Sequence, residues 1–205
     1  MKTIFKHAIV LVLLISMTTS ANAQANITDA FSKSYALSYS QKYDQAAQTL
    51  LNIYDAKSYE INLRLGYIYF LGKDYAKSKQ YYQKAIDLMP MSVEAKIGMT
   101  YALGGENNTT KLIEVYNSIL SYDVYNSYAN YYMGFIYYSN KDYTNAHKYF
   151  ERNVNLYPFT YDSVIMLAWT NLKLGKTNEA KVLFQKALVI SPDDVSATSG
   201  IGMCK

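Results

Sequence analysis

The sequence predicts an all-α chain of stacked helix pairs, and three observations carry that prediction. The three prolines, Pro90, Pro158 and Pro192, are separated by 68 and 34 residues, so one period recurs, once doubled. Within a period the apolar residues return at helical spacing: Leu65, Tyr69 and Phe70 precede a Gly-Lys-Asp turn, and Tyr75, Tyr82, Ala85 and Ile86 follow it. No alternating strand pattern persists anywhere after the first 23 residues. A fixed period of this size marks a repeat protein, whose single unit cannot bury its own apolar face and must stack on neighbours.

The first element stands outside the repeats. Lys2 and Lys6 flank the start of an apolar run, Ala8 to Met17, and small residues Ala21 and Ala23 follow it. The run is about half of the roughly 20 residues that a membrane-crossing helix needs. A basic start, a short apolar core and an Ala-x-Ala end read as a secretory signal peptide over 1–23, cleaved after Ala23. An uncleaved anchor is the competing reading, and the short core argues against it. No cysteine stands at the cleavage site, so no lipid anchor is expected, and no later segment is apolar for long enough to span a membrane. Residues 24–205 then form an exported domain, carried across the inner membrane and expected in the periplasm. With 18 Lys and Arg against 16 Asp and Glu, the exported part has a net charge of +2. That near balance gives no reason to expect a nucleic-acid partner, which calls for a clustered basic face.

The repeat units follow in order. The first, 27–58, keeps Tyr43, Ala46 and Leu50 but has no glycine or proline at the expected places. The second, 59–90, carries the fullest set. In the third, 91–126, Gly98, Tyr101 and Gly104 suit one register, no proline closes the unit, and GGENNTT at 104–110 reads as two residues too long. Its register is therefore open by two residues. The fourth, 127–160, and the fifth, 161–194, return to the period, and 195–205 reads as a short closing helix with Ile201-Gly202 in the place of Leu65-Gly66. Pro90, Pro158 and Pro192 end one helix and begin the turn into the next.

The second unit's Leu65-Gly66, Tyr69, Gly72, Tyr75, Ser78, Tyr82, Ala85 and Pro90 resemble the tetratricopeptide repeat pattern. The fourth unit repeats it with Met133-Gly134, Tyr137, Tyr143, Ala146, Phe150 and Pro158. The fifth does so with Leu167-Ala168, Gly175, Ala180, Phe184, Ala187 and Pro192, departing at Asn171 where the pattern has a tyrosine. The resemblance covers nearly all of 27–205. It implies a right-handed α-solenoid of about five repeats plus a short C-terminal helix. It also implies that the first helix of each pair lines a concave groove, where such proteins usually bind extended peptides or partner helices.

Catalytic constellations are poorly supplied. His7 lies in the signal segment, and His147 stands beside Lys148 with no second ligand spaced to help it hold a metal. Cys204 is the only cysteine, which excludes a disulfide framework and leaves a buried helix cysteine or an intermolecular bridge. Gly66 to Lys73 is no phosphate loop, because five residues separate its glycines and Asp74 stands where Ser or Thr is needed. Asp44, Asp193 and Asp194 are isolated carboxylates near helix starts, where anions suit the helix dipole. Neither an enzyme nor a cofactor nor a metal site is expected.

The remaining signal is aromatic. Tyrosine supplies 23 of 205 residues, and the stretch YYMGFIYYSNKDY at 131–143 concentrates them. Tyr131, Phe135 and Tyr138 fall at i, i+4 and i+7, with Tyr128 one turn earlier, so they share a helix face. That face is rotated by about 100° from the one holding Met133 and Tyr137. Leu63, Tyr67 and Phe70 make the same stripe in the second unit, Phe31, Tyr35 and Ser38 in the first, and Ile165, Trp169 and Leu172 in the fifth. By the family resemblance this stripe lines the groove. Two readings stand: the rings bind a protein or peptide partner, or they pack between neighbouring first helices. A glycan- or cell-wall-binding face is the alternative ligand class, since such rings also stack on sugars. The family's charged clamp for a C-terminal carboxylate is not matched, because Arg64 and Lys173 are the only basic residues near this face. Self-association through the ends of the stack is a further expectation, because an exposed repeat end can pair.

Overall fold

The computed structural model describes residues 26–204, so the predicted signal segment lies outside the described residues. α1 covers 26–39. It is followed by α2 (Tyr43–Leu51), α3 (Tyr59–Leu71), α4 (Tyr75–Leu88) and α5 (Val93–Gly105). Then come α6 (Thr109–Tyr122), α7 (Ser127–Ser139), α8 (Tyr143–Leu156), α9 (Tyr161–Lys173), α10 (Thr177–Ile190) and α11 (Val195–Met203). Among the described residues there is no strand, and no helix is long and apolar enough to cross a membrane.

The helix starts settle the open register. Tyr59, Val93, Ser127, Tyr161 and Val195 begin the odd-numbered helices from α3 onward at steps of 34, and Tyr75, Thr109, Tyr143 and Thr177 begin the even-numbered ones from α4 at the same step. The third pair therefore carries no two-residue excess. Its counterpart of Gly66 is Thr100, and Gly98 sits two positions earlier. The irregular step lies between the first two pairs, where Tyr43 and Tyr75 are 32 apart.

One turn geometry joins the helices of every pair. Gln41, Lys73, Asn107 and Lys141 take φ values of 58°, 61°, 56° and 62°, and Gly175 takes 77°. A left-handed residue recurs two positions before each second helix, yet only the last turn has a glycine there. The next helix is capped in three of the five pairs: Asp74, Asn108 and Asp142 accept the backbone N–H three residues on. Ser58, Ser92, Asn126 and Asp194 cap α3, α5, α7 and α11 in the same way. Asn62 and Asn130, 68 apart and fully buried, staple the preceding loops. Asn62 Nδ2 donates to the carbonyls of Ala56 and Ser58 (3.2 and 2.7 Å), and Asn130 Nδ2 to those of Val124 and Asn126 (2.9 Å each).

The helices form two compact units, one up to Glu106 and one from Asn107. In the first, Leu50, Ile61, Leu65 and Ile68 form the core with Ala46 and Ala47. The Tyr82 ring of α4 enters between α3 and α5: a Cβ on Gly66 would stand 2.9 Å from it, and a Cβ on Gly98 would overlap it. In the second unit, Phe150 lies where a Cβ on Gly134 would come within 2.8 Å, and Phe184 where a Cβ on Gly200 would overlap. Val164, Leu167 and Ala168 of α9 complete that core.

Two outcomes follow. Gly98→Ala lowers stability by about 1–3 kcal/mol because the methyl overlaps a buried ring. Gly104→Ala, with nothing within 4 Å of the added carbon, raises stability by about 0.5–1 kcal/mol through helix propensity. Urea unfolding of the two variants checks the contrast. The Asp74 carboxyl is held below its ordinary value by the Lys77 side chain and then its N–H, and Asp142 likewise by the Asn145 side chain and N–H. A depressed folded value means stability that is present above the unfolded carboxylate value of about 3.9 and lost as pH falls through the folded one. The melting-temperature gap between the native chain and a D74A/D142A variant is therefore present at neutral pH and closes below about pH 4.

Candidate functional site

Three first helices of the first unit, α1, α3 and α5, enclose an open cleft of about 900 Å3. α1 contributes Phe31 and Tyr35, α3 contributes Leu63, Arg64 and Tyr67, and α5 contributes Ile97 and Tyr101. Tyr59, Glu60 and Glu94 line it near the starts of α3 and α5. A second hollow of about 330 Å3 adjoins it, sharing Tyr35, Arg64 and Tyr67 and adding Tyr39, Tyr43 and Leu71. The rings are supported from behind. Phe70 packs against Tyr101 at 5.4 Å and against Tyr67 at 6.3 Å. Glycine at 98 leaves room for Tyr82, whose ring closes the floor.

Arg64 is the unusual member of this lining. Its side chain is 8 % exposed, although most arginines keep the guanidinium in water. The guanidinium lies 3.9 Å over the centre of the Tyr35 ring and 5.6 Å from that of Tyr67. Nη2 donates a short hydrogen bond to Ser38 Oγ, and Nε is buried with no hydrogen-bond partner. Among the described residues no carboxylate lies within 4.0 Å of it; the ion pairs are Lys77–Asp74, Lys79–Glu106 and His147–Glu151. Burial pulls Arg64 below the ordinary arginine value, a shift the surrounding tyrosines oppose, and it stays charged at neutral pH. Tyr59 Oη shares a hydrogen bond of 2.7 Å with Ser92 Oγ and donates to Glu94 Oε2 at 3.3 Å, and burial pushes its hydroxyl up. The site thus offers ring faces, one buried cation and two exposed carboxylates.

The stripe read from the sequence divides between the units. Phe31, Tyr35, Leu63 and Tyr67 come together on the cleft, with Phe70 behind them. In the second unit most of the stripe is packing. Tyr131 meets Phe150 edge-on at 5.9 Å, Tyr138 meets Tyr143 at 5.3 Å, and Tyr128 lies 4.5 Å from Tyr132. Trp169 meets Phe184 at 4.9 Å, and its Nε1 donates to Ser196 Oγ at 2.9 Å. Ile165 is 7 % exposed and belongs to the core, and Leu172 packs on the same cluster. Phe135 stands out from this group, 46 % exposed. Sequence reasoning passed over Ile97 and Tyr101. Aligning Gly98 with Gly66 displaced the third pair by two residues, whereas a step of 34 from Leu63 and Tyr67 leads directly to them.

This division predicts opposite outcomes for two neighbours on one helix. Tyr131→Ala costs about 2–4 kcal/mol of folding stability by opening space beside Phe150. Phe135→Ala changes it by less than about 1 kcal/mol. Urea titration of the two single variants measures both.

The sequence matches the tetratricopeptide repeat family over residues 59–92, 128–160 and 161–194. No curated protein matches the chain. Among solved structures, a tetratricopeptide repeat protein from Parabacteroides merdae superposes with a TM-score of 0.73 at 16% identity, over 87% of this chain and 72% of its own. MamA from Desulfovibrio magneticus (residues 41 to the end) gives a TM-score of 0.69 at 14% identity, over 83% of this chain and 97% of its own. Another MamA structure gives 0.69 at 19% identity, over 78% and 94%. At these identities the likeness is one of fold. The three matched segments coincide with the α3–α4, α7–α8 and α9–α10 pairs, so the chain is an all-α scaffold carrying tetratricopeptide repeats.

Proposed function

We propose that this chain is an exported, non-catalytic scaffold of the periplasm that binds an extended segment of a protein partner in the cleft formed by α1, α3 and α5. The observation that carries the reading is a set of aromatic rings lining a concave site with surface in solvent: Tyr35, Tyr67 and Tyr101 are 46%, 39% and 36% exposed. Tyrosine gives large contact area with few torsions to freeze and a hydroxyl that remains hydrated, which suits a peptide site. Tetratricopeptide repeats generally bind protein partners, and the cleft lies on the helices that this repeat class turns toward its ligands. The basic, apolar and Ala-x-Ala order of 1–23 supports export.

Selection from a random displayed peptide library against residues 24–205 tests the reading. Specific peptides are expected, and Tyr67→Ala with Tyr101→Ala should weaken them about 10-fold or more while moving the melting temperature only a few degrees. Recovery of no peptide above background, together with retention of the chain on insoluble cell-wall polysaccharide, would replace this reading with a glycan-binding one.

A further inference from the structure

Among the described residues the charges of the cleft have no ion-pair partner. Arg64 is buried, with an orphaned Nε and no carboxylate within 4.0 Å among the described residues. Glu60 and Glu94 line the same cleft, both exposed, and among the described residues neither has a lysine or arginine within that distance. Glu60 accepts from Ser58 Oγ (3.0 Å) and Glu94 from Tyr59 Oη (3.3 Å), both neutral donors. A guanidinium taken out of water without a counterion is costly, and an unmade hydrogen bond adds to that cost. A methionine in its place would fill similar volume without either penalty. Stacking on Tyr35 and bonding to Ser38 hold the guanidinium in one orientation but do not neutralise it. The guanidinium lines the cleft, and a planar group of this kind suits a carboxylate.

We propose that the cleft reads a charge pair: one carboxylate of the ligand docks on Arg64, and a cationic group of the same ligand faces Glu60 and Glu94. The ligand class is a peptide segment with an acidic side chain and a nearby basic one, flanked by apolar residues that lie on Tyr35, Tyr67 and Tyr101. This rests on the reading of the cleft as a peptide site and sharpens it. The two glutamates act as a filter. A ligand with several acidic groups meets them as like charges, so the cleft selects against polyanions and for alternating charge.

Small probes test this whatever the partner is. Benzoate, para-aminomethylbenzoate and terephthalate are titrated into residues 24–205 while the Nε–Hε resonance of Arg64 is followed by NMR. A saturable shift is expected with benzoate. Para-aminomethylbenzoate should bind about 3-fold or more tightly than benzoate, and terephthalate more weakly. Replacing both glutamates by glutamine should erase that order and leave benzoate binding intact. Arg64→Met should weaken benzoate by about 10-fold or more while the melting temperature holds or rises, because a buried unpaired charge is removed. Arg64→Lys keeps the charge but loses the fork, and should fall between. An Arg64 resonance that does not move, or equal benzoate affinity in Arg64→Met, overturns the proposal. Library-selected peptides that bind the native chain and Arg64→Met equally well also overturn it, and they do so without disturbing the peptide reading of the cleft.

Discussion

A ring wedged against a missing side chain is the contact on which the other features depend. Tyr82, Tyr116, Phe150 and Phe184 recur at steps of 34 and are at most 3% exposed. In the first unit the Tyr82 ring occupies the space that side chains on Gly66 and Gly98 would need, which sets the approach of α3 and α5. In the second, Phe184 does the same at Gly200 and also supports Trp169. Where the ring is Tyr116, it stacks instead on Tyr132, with centres 5.9 Å apart and planes within 6°. Burying such a ring supplies much of the driving force for each pair, and its shape fixes the spacing. Once that spacing is set, the opposite face of each first helix is free to be either filled or open.

The two units resolve that freedom differently. In the second, Tyr131, Trp169 and Ile165 turn their bulk onto Phe150, Phe184 and the core. In the first, Phe31, Leu63 and Ile97 form walls, and the tyrosines beside them keep a face in solvent. Arg64 then occupies a position where a packing residue would be more stabilising. Protein interiors tolerate an uncompensated charge chiefly where function requires it, and the cost appears as stability forgone. The same logic separates Asn62 and Asn130, whose amides are spent on loop carbonyls, from Arg64, whose Nε is spent on nothing.

Most of the fold was legible because the period, the prolines and the helical spacing of apolar residues repeat the same physical solution. The register of the third pair was not, because glycine is an ambiguous mark. Gly66 admits the ring of its own pair, whereas Gly98 admits the ring of the preceding one, and sequence spacing alone does not tell these apart. That ambiguity hid Ile97 and Tyr101. The site was legible as a stripe but not as a place. Tyr67 and Tyr131 carry the same residue type on the same stripe, yet one opens onto a cleft and the other onto Phe150. What distinguishes them is the neighbouring helix, which periodicity cannot see. Arg64 is visible in the sequence as a basic residue near the stripe, but its burial and its orphaned Nε are set by the neighbouring helices.

The central claim is that the open faces of α1, α3 and α5 serve a ligand, while the aromatic stripe of the second unit serves the fold. Residue-specific ring resonances of the tyrosines, followed as a library-selected peptide is added to residues 24–205, address it most directly. Shifts are predicted at Tyr35, Tyr67 and Tyr101, with Tyr131 and Tyr138 unmoved. Shifts confined to Tyr131, Tyr138 or the Tyr69–Tyr81 stack, with the cleft tyrosines silent, would contradict it.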